Sequence, residues 1–226
     1  MRKLLSVLLI ACALFSFTFS AGIFAAESGT SYGNVPQTSD PIAIDGKKDA
    51  VYDKGLVVKN INILHTDSQK NTGCVGTAYV VWNGTDTMYV FCSVKDPEVI
   101  IYEGNPDPWS VDSVELFIDF SNKVARTRDQ YRIDVKNVAT YYDTTTYYGD
   151  DCKKYGFSNW GMSSTSDGYD VEFEIKAYKE PIAADMKIGF HIMITNATQA
   201  VNPTSTLISV RTSLIALVTS PSPRKR

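Results

Sequence analysis

At 226 residues, 44% hydrophobic and 21% charged, the chain can bury one ordinary core with a few appendages. Its formal net charge of −3 gives no electrostatic reason to expect nucleic acid or an anionic membrane surface as partner. Thirteen Tyr against two His suit a surface that stacks on neutral, flat ligands, although most aromatics in a β protein belong to its core.

Residues 1–26 read as an export signal: Arg2 and Lys3, an apolar run to Phe24, then Ala25 and Ala26 before Glu27. The mature protein is then expected to be secreted, with no membrane contact beyond that signal. The run is also long enough for an uncleaved anchor, and Leu9-Ile10-Ala11-Cys12 permits a lipid-attachment reading. Residues 27–40, rich in Ser, Thr, Gly and Asn, read as a linker.

Folded sequence is expected over 41–196, with alternating strands at 56–64, 77–82, 88–94, 114–120, 131–135, 169–175 and 188–194. The sixth alternates most cleanly, with Tyr169, Val171, Phe173 and Ile175 inward and Asp170, Glu172, Glu174 and Lys176 outward. No segment sustains a helical period, so the pattern predicts an all-β domain, a jelly-roll-like two-sheet antiparallel β-sandwich. Residues 197–226 change character, with no acidic residue and a terminal Arg224-Lys225-Arg226. They supply either a final edge strand and a tail, or a segment foreign to the domain.

Removal of the signal leaves Cys74, Cys92 and Cys152, an odd number that cannot all pair within one molecule. Cys74 and Cys92 flank a hairpin turn at Asn83-Gly84-Thr85-Asp86, yet counting back from the turn does not set them opposite each other. One bridge with a free thiol and three free thiols both stay open.

The most informative stretch is NPDPWSVDSVELFID, residues 105–119. Pro106 and Pro108 stiffen the loop around Trp109, directly before a strand that sets Val114, Leu116, Ile118 and Phe120 on one face. Glu115 projects from the opposite face with Ser113, Phe117 and Asp119. A ring on a rigid loop beside a sheet is how a β protein offers a flat surface to a flat ligand. Asp96 and Asp112, with Glu98, Asp107 and Asp119 nearby, provide hard oxygen for calcium, although no EF-hand-like spacing is present. Tyr141, Tyr142, Tyr147 and Tyr148 form either a second aromatic platform or a loop packing its own rings. His65 and His191 lack metal-ligand spacing and read as solvated or core histidines.

Six pieces in order resemble a family 9 carbohydrate-binding module of the kind appended to secreted xylanases. They are IAIDGKKDAVYDKG (42–55), VVWNGTDTMYVFCSVKDPEV (80–99), PWSVDSVELFID (108–119), QYRIDV (130–135), GYDVEFEIKA (168–177) and IGFHIMITN (188–196). The first matches the family's opening with Tyr52 in place of Trp. The resemblance implies a non-catalytic module that binds polysaccharide or oligosaccharide, at chain ends of plant cell-wall xylan or cellulose, with structural calcium and with a glycoside hydrolase catalytic domain as its partner. It also implies Trp109 as one wall of an aromatic slot and Glu115 and Arg132 as sugar-hydroxyl ligands. Two positions depart from the family: no Trp follows Trp160 to form the second wall, and Met193 stands where the family places a Gln ligand.

Two other classes stay in view. A glycoside hydrolase needs two carboxylates about 5–10 Å apart, and nothing in the sequence marks such a pair. A haem-binding or interaction sandwich would draw axial ligands from Met88, Met193, His65 and His191, without any motif.

Overall fold

Alternating apolar side chains give each strand one greasy face, and two sheets close those faces on each other. The computed structural model describes residues 31–61, 73–101, 111–120, 129–142, 147–148, 152–179, 181–197 and 208–219. In chain order the strands are β1 (Ser31–Pro36), β2 (Leu56–Ile61), β3 (Val75–Trp82), β4 (Thr87–Lys95), β5 (Ser113–Asp119) and β6 (Asp129–Asp134). There follow β7 (Ala139–Tyr142), β8 (Tyr147–Tyr148), β9 (Phe157–Thr165), β10 (Gly168–Lys176), β11 (Lys187–Asn196) and β12 (Ile208–Thr219). One sheet has the order β1-β12-β11-β5-β6-β7-β8 and the other β2-β3-β4-β10-β9. The strands pair antiparallel throughout, except β1 with β12. Among the described residues helical structure is confined to two short 3-10 turns, Ala50–Lys54 and Cys152–Tyr155. The fold is the expected β-sandwich.

Between the sheets, Val114, Leu116 and Ile118 of β5 and Ile192 and Ile194 of β11 join one core with Val90 and Val94 of β4 and Val171, Phe173 and Ile175 of β10. All seven predicted strands form. The segment read as linker contributes a strand, β1, and the segment after 196 supplies the strand that was one of its two alternatives. β12 lies between β11 and β1 instead of at an edge, so its backbone groups are paired on both sides. Its scattered Ser and Thr hide the alternation, but its β-branched content suits a strand. β9 was missed for a related reason: in FSNWGMSST, an edge strand, Ser, Asn, Gly and Thr interrupt the apolar residues Phe157, Trp160 and Met162 and hide any alternation. As the count from the turn implied, Cys92 sits opposite Ala78, not Cys74. Both thiols are free and buried, and burial pushes them above the usual thiol range.

The outer face of the five-stranded sheet is covered by the chain's own segment 42–54. Tyr52 and Val51 pack on Phe91 and Val81 there, with Tyr52 and Phe91 ring centroids 5.6 Å apart. Beneath this strap lies the fully buried Glu172 of β10. Its Oε1 accepts from the Tyr52 hydroxyl at 2.8 Å, and its Oε2 accepts from the Asp45 and Gly46 amides at 3.1 and 3.2 Å. Gly46 adopts φ +76° and crosses β9 so closely that a Cβ would fall 2.6 Å from the Met162 carbonyl carbon. The IDG motif is therefore a fastening for the strap: its backbone donors satisfy a buried carboxylate, and its glycine permits the crossing.

Candidate functional site

β5 runs through the middle of the seven-stranded sheet, and its outward residues meet partners from both neighbours. Register sets Glu115 between Arg132 on β6 and Met193 on β11, and Ser113 between Asp134 and Thr195. Two residues along, Phe117 stands between Gln130 and His191, with the Phe117 and His191 rings edge to face at 5.4 Å. This patch lies on the face turned away from the core, yet Glu115 and Arg132 are only 4% and 2% exposed.

Glu115 is held by side chains of both neighbouring strands, β6 and β11. Its Oε1 accepts from Thr195 Oγ1 at 3.1 Å, its Oε2 accepts from Gln130 Nε2, and Arg132 Nε lies 4.0 Å from Oε1. Arg132 Nε also donates to Ser113 Oγ at 2.9 Å. Burial raises the Glu115 carboxyl above the usual range, while Arg132, Thr195 and Gln130 pull it down. Those hydrogen bonds and the adjacent guanidinium offset part of the desolvation, which leaves a carboxylate and a guanidinium side by side on the outward face.

Asp96 and Asp112 form a second acidic place, at the end of the sandwich where β4 stops and β5 starts. Asp112 is fully buried; its Oδ2 accepts from the Ile100 amide and its Oδ1 from the Ala197 amide at 2.6 Å. Asp96 Oδ1 accepts from the Glu98 amide at 3.0 Å, whereas its buried Oδ2 has no hydrogen-bond partner among the described residues. Burial raises both carboxyls, Asp112 to about 7, and the Asp96 and Glu98 charges add to the rise at Asp112. Asp96 also lines a cleft of about 620 Å³ with Lys95, Pro97, Val99, Ile101 and the β9–β10 turn.

Sequence reasoning thus found Glu115 and Arg132, and the structure brings them side by side. Trp109, Pro106, Pro108, Asp107 and His65 lie outside the described residues, as does the export signal. Of the two readings open for the tyrosine cluster, Tyr141 follows neither an exposed platform nor an exposed loop but belongs to the core. It is fully buried and stacks on Tyr155 at 4.8 Å, and its hydroxyl bonds to Asp129 and to the Tyr178 hydroxyl. Ser113, Gln130 and Thr195 were missed. The first two were within reach, since each stands two residues from Glu115 or Arg132 on a strand and shares its face; Thr195 required the register of β11.

Comparison with known proteins agrees with this geometry. The family model described as "Carbohydrate family 9 binding domain-like" matches residues 44–212. The chain is 26% identical over 156 residues to endo-1,4-beta-xylanase A of Thermotoga neapolitana, and 28% identical over 160 residues to that of Thermotoga maritima. Each match covers 69% of this chain but only 14% of the xylanase, so the chain spans about a seventh of those relatives. Among solved structures, a family 9 carbohydrate-binding module from Caldicellulosiruptor kristjanssonii in complex with cellotriose superposes with a TM-score of 0.62 at 20% identity, covering 86% of this chain and 97% of that one. A glucose complex of a family 9 module from the same organism gives 0.61 at 20% identity, covering 85% and 99%.

Proposed function

The chain belongs to the family 9 carbohydrate-binding modules, and we propose that it recognises chain ends of plant cell-wall polysaccharide, xylan or cellulose, without acting on them chemically. The observation that carries this reading is the Glu115–Arg132 pair, nearly buried on an outward sheet face and clasped by Thr195, Gln130 and Ser113. A sugar ring presents hydroxyls in pairs, and a carboxylate beside a guanidinium accepts from one and donates to the next. Trp109, on the loop leading into β5, would stack on the apolar face of the ring. Gln130 supplies next to Glu115 an amide of the kind that Met193, its neighbour on β11, lacks. The matched xylanases support a role in which the module works, after export, attached to or beside a glycoside hydrolase catalytic domain.

Calcium belongs to the same proposal. Asp96 fits such a cation, because its buried Oδ2 is without a donor, and Asp112 adds a second carboxylate with one lone pair per oxygen already engaged. Two carboxylates fall short of the six to eight oxygens that calcium takes. Among the described residues no group of three or more His, Cys, Asp or Glu converges, so backbone carbonyls or water would complete the shell. A rise in melting temperature on adding calcium, absent in Asp96→Asn, would support the site; equal melting in calcium and EDTA would remove it.

The sugar reading is tested by titration calorimetry of residues 27–226 with xylobiose, cellobiose and soluble xylan, beside Trp109→Ala and Glu115→Gln. Binding by the parent, weakened about tenfold or more in Glu115→Gln and in Trp109→Ala, is the expected result. Turnover of xylan, or no heat from a folded protein with any glycan, would overturn it.

A further inference from the structure

Asp112 stands one residue before β5, and its three acceptor oxygens serve three different parts of the chain. Oδ2 takes the Ile100 amide from the segment after β4, Oδ1 takes the Ala197 amide at the exit of β11, and the backbone carbonyl takes the Val135 amide at 3.1 Å just after β6. Ile100 precedes Asp112 by twelve residues, so that bond ties together the two ends of the connection whose sequence contains Trp109. Ala197 opens the connection from β11 to β12. The next residue, Ser113, holds Arg132 Nε. The carboxylate thus joins the roots of two connections to the strand that carries Glu115.

Resting on the sugar-binding reading, we infer that Asp112 is a positioning residue for the candidate face: it holds Ile100 and Ala197, the roots of two connections, in fixed geometry relative to Glu115 and Arg132. Only a carboxylate does this at that size. Both of its oxygens accept, whereas the amide of Asn would accept one backbone N–H and turn its own N–H groups toward the other. Asp96 offers the contrast, since among the described residues its one side-chain bond runs to Glu98, two residues away, and ties no distant segments together.

The experiment uses the full exported chain as wild type, Asp112→Asn and Asp96→Asn, each titrated with xylobiose and cellobiose in calcium and in EDTA. Amide hydrogen exchange is followed in the same samples. Asp112→Asn is expected to weaken sugar binding about tenfold, the loss of roughly one charge-assisted bond's worth of preorganisation. The Ile100 or Ala197 amide should exchange at least about tenfold faster, while Val114 and Arg132 stay protected. In EDTA, where no cation engages its carboxylate, Asp96→Asn should bind within about twofold of wild type, whereas Asp112→Asn should still show the tenfold loss. If Asp112→Asn does not fold, Ala197→Pro, which deletes one donor and leaves the carboxylate, carries the same comparison.

Unchanged affinity in a variant whose Ile100 or Ala197 amide has opened would overturn the proposal. So would equal losses in Asp96→Asn and Asp112→Asn that follow calcium removal, since both residues would then act through a metal. A folded wild type that binds neither sugar refutes the sugar reading. The tether then stands or falls on exchange at Ile100 and Ala197.

Discussion

Glu172 on β10 and Glu115 on β5 occupy matching places: each sits on an inner strand of its sheet, points away from the common core and is nearly or fully buried. Their partners differ in kind. Glu172 accepts two backbone amides and a tyrosine hydroxyl from a strap folded over it, whereas Glu115 is held by side chains of neighbouring strands. Backbone donors have one place to point, so Glu172 is a closed structural joint. Side chains can rotate and share their bonds with an incoming hydroxyl, the capacity that the proposed sugar site asks of Glu115. Burial of a carboxylate on an outward face therefore signals that something covers or uses it, and the type of donor separates the two cases.

The largest effect is expected from Glu172→Ala, which leaves two amides and a hydroxyl unsatisfied under the strap and opens a gap. The loss should be about 3–4 kcal/mol in urea unfolding, with sugar affinity of the remaining folded protein unchanged. Glu115→Gln should act the other way, lowering affinity by about tenfold or more and costing stability less. Parallel losses of stability and affinity in both variants would erase the distinction between the faces.

How far the sequence carried this contrast depends on what each feature needs. The seven alternating strands, the inward rows of β5 and β10 and the outward placement of both glutamates were legible, because period-2 patterning reports face directly. That Glu172 is buried was not, since the covering residues Asp45, Gly46 and Tyr52 lie about 120 positions away and their contact is a tertiary event. The clasp of Glu115 by Thr195 likewise depends on a register that alternation leaves undetermined. A strand after residue 196 was one of two alternatives, but its inner place was not legible, because that place comes from pairing with β1 and β11 and not from its own pattern. The place of Tyr141 was left open for the opposite reason: composition shows that rings cluster, not which of them the core takes.

The strap itself can be loosened from either side of its crossing. Gly46→Ala brings a side chain to φ +76° and against Met162 backbone, and Gly161→Ala drives a Cβ to 2.4 Å from the Gly46 nitrogen. Each should cost about 2–3 kcal/mol. Because both lift the same crossing, the double variant should lose less than the sum of the two. Additive losses would mean that the two glycines serve separate packings. Smaller again is Tyr52→Phe, which removes one of three donors to Glu172 while keeping the ring on Phe91. About 1–2 kcal/mol is expected from denaturation midpoints, and no loss at all would reduce the hydroxyl bond to a bystander.

The subtlest test concerns protons. Burial raises the Glu172 carboxyl from about 4.5 to about 7, against the pull of Tyr52 and the Asp45 and Gly46 amides. The folded chain then binds this proton more tightly than the unfolded chain, so the contribution to stability is complete below about pH 4.5 and is lost as pH rises through 7. In Glu172→Gln the amide oxygen accepts both backbone N–H groups and the amide nitrogen donates to the Tyr52 oxygen, which turns from donor to acceptor. The variant should therefore match the parent near pH 5 and exceed it by about 1 kcal/mol near pH 8. Asp112 is raised to about 7 with the same sign, so part of the slope survives in the variant. Urea midpoints at pH 5, 6, 7 and 8 decide the matter. Parallel curves for parent and variant would mean that Glu172 folds with its charge, and that the strap is fastened by an ion and not by a neutral acid.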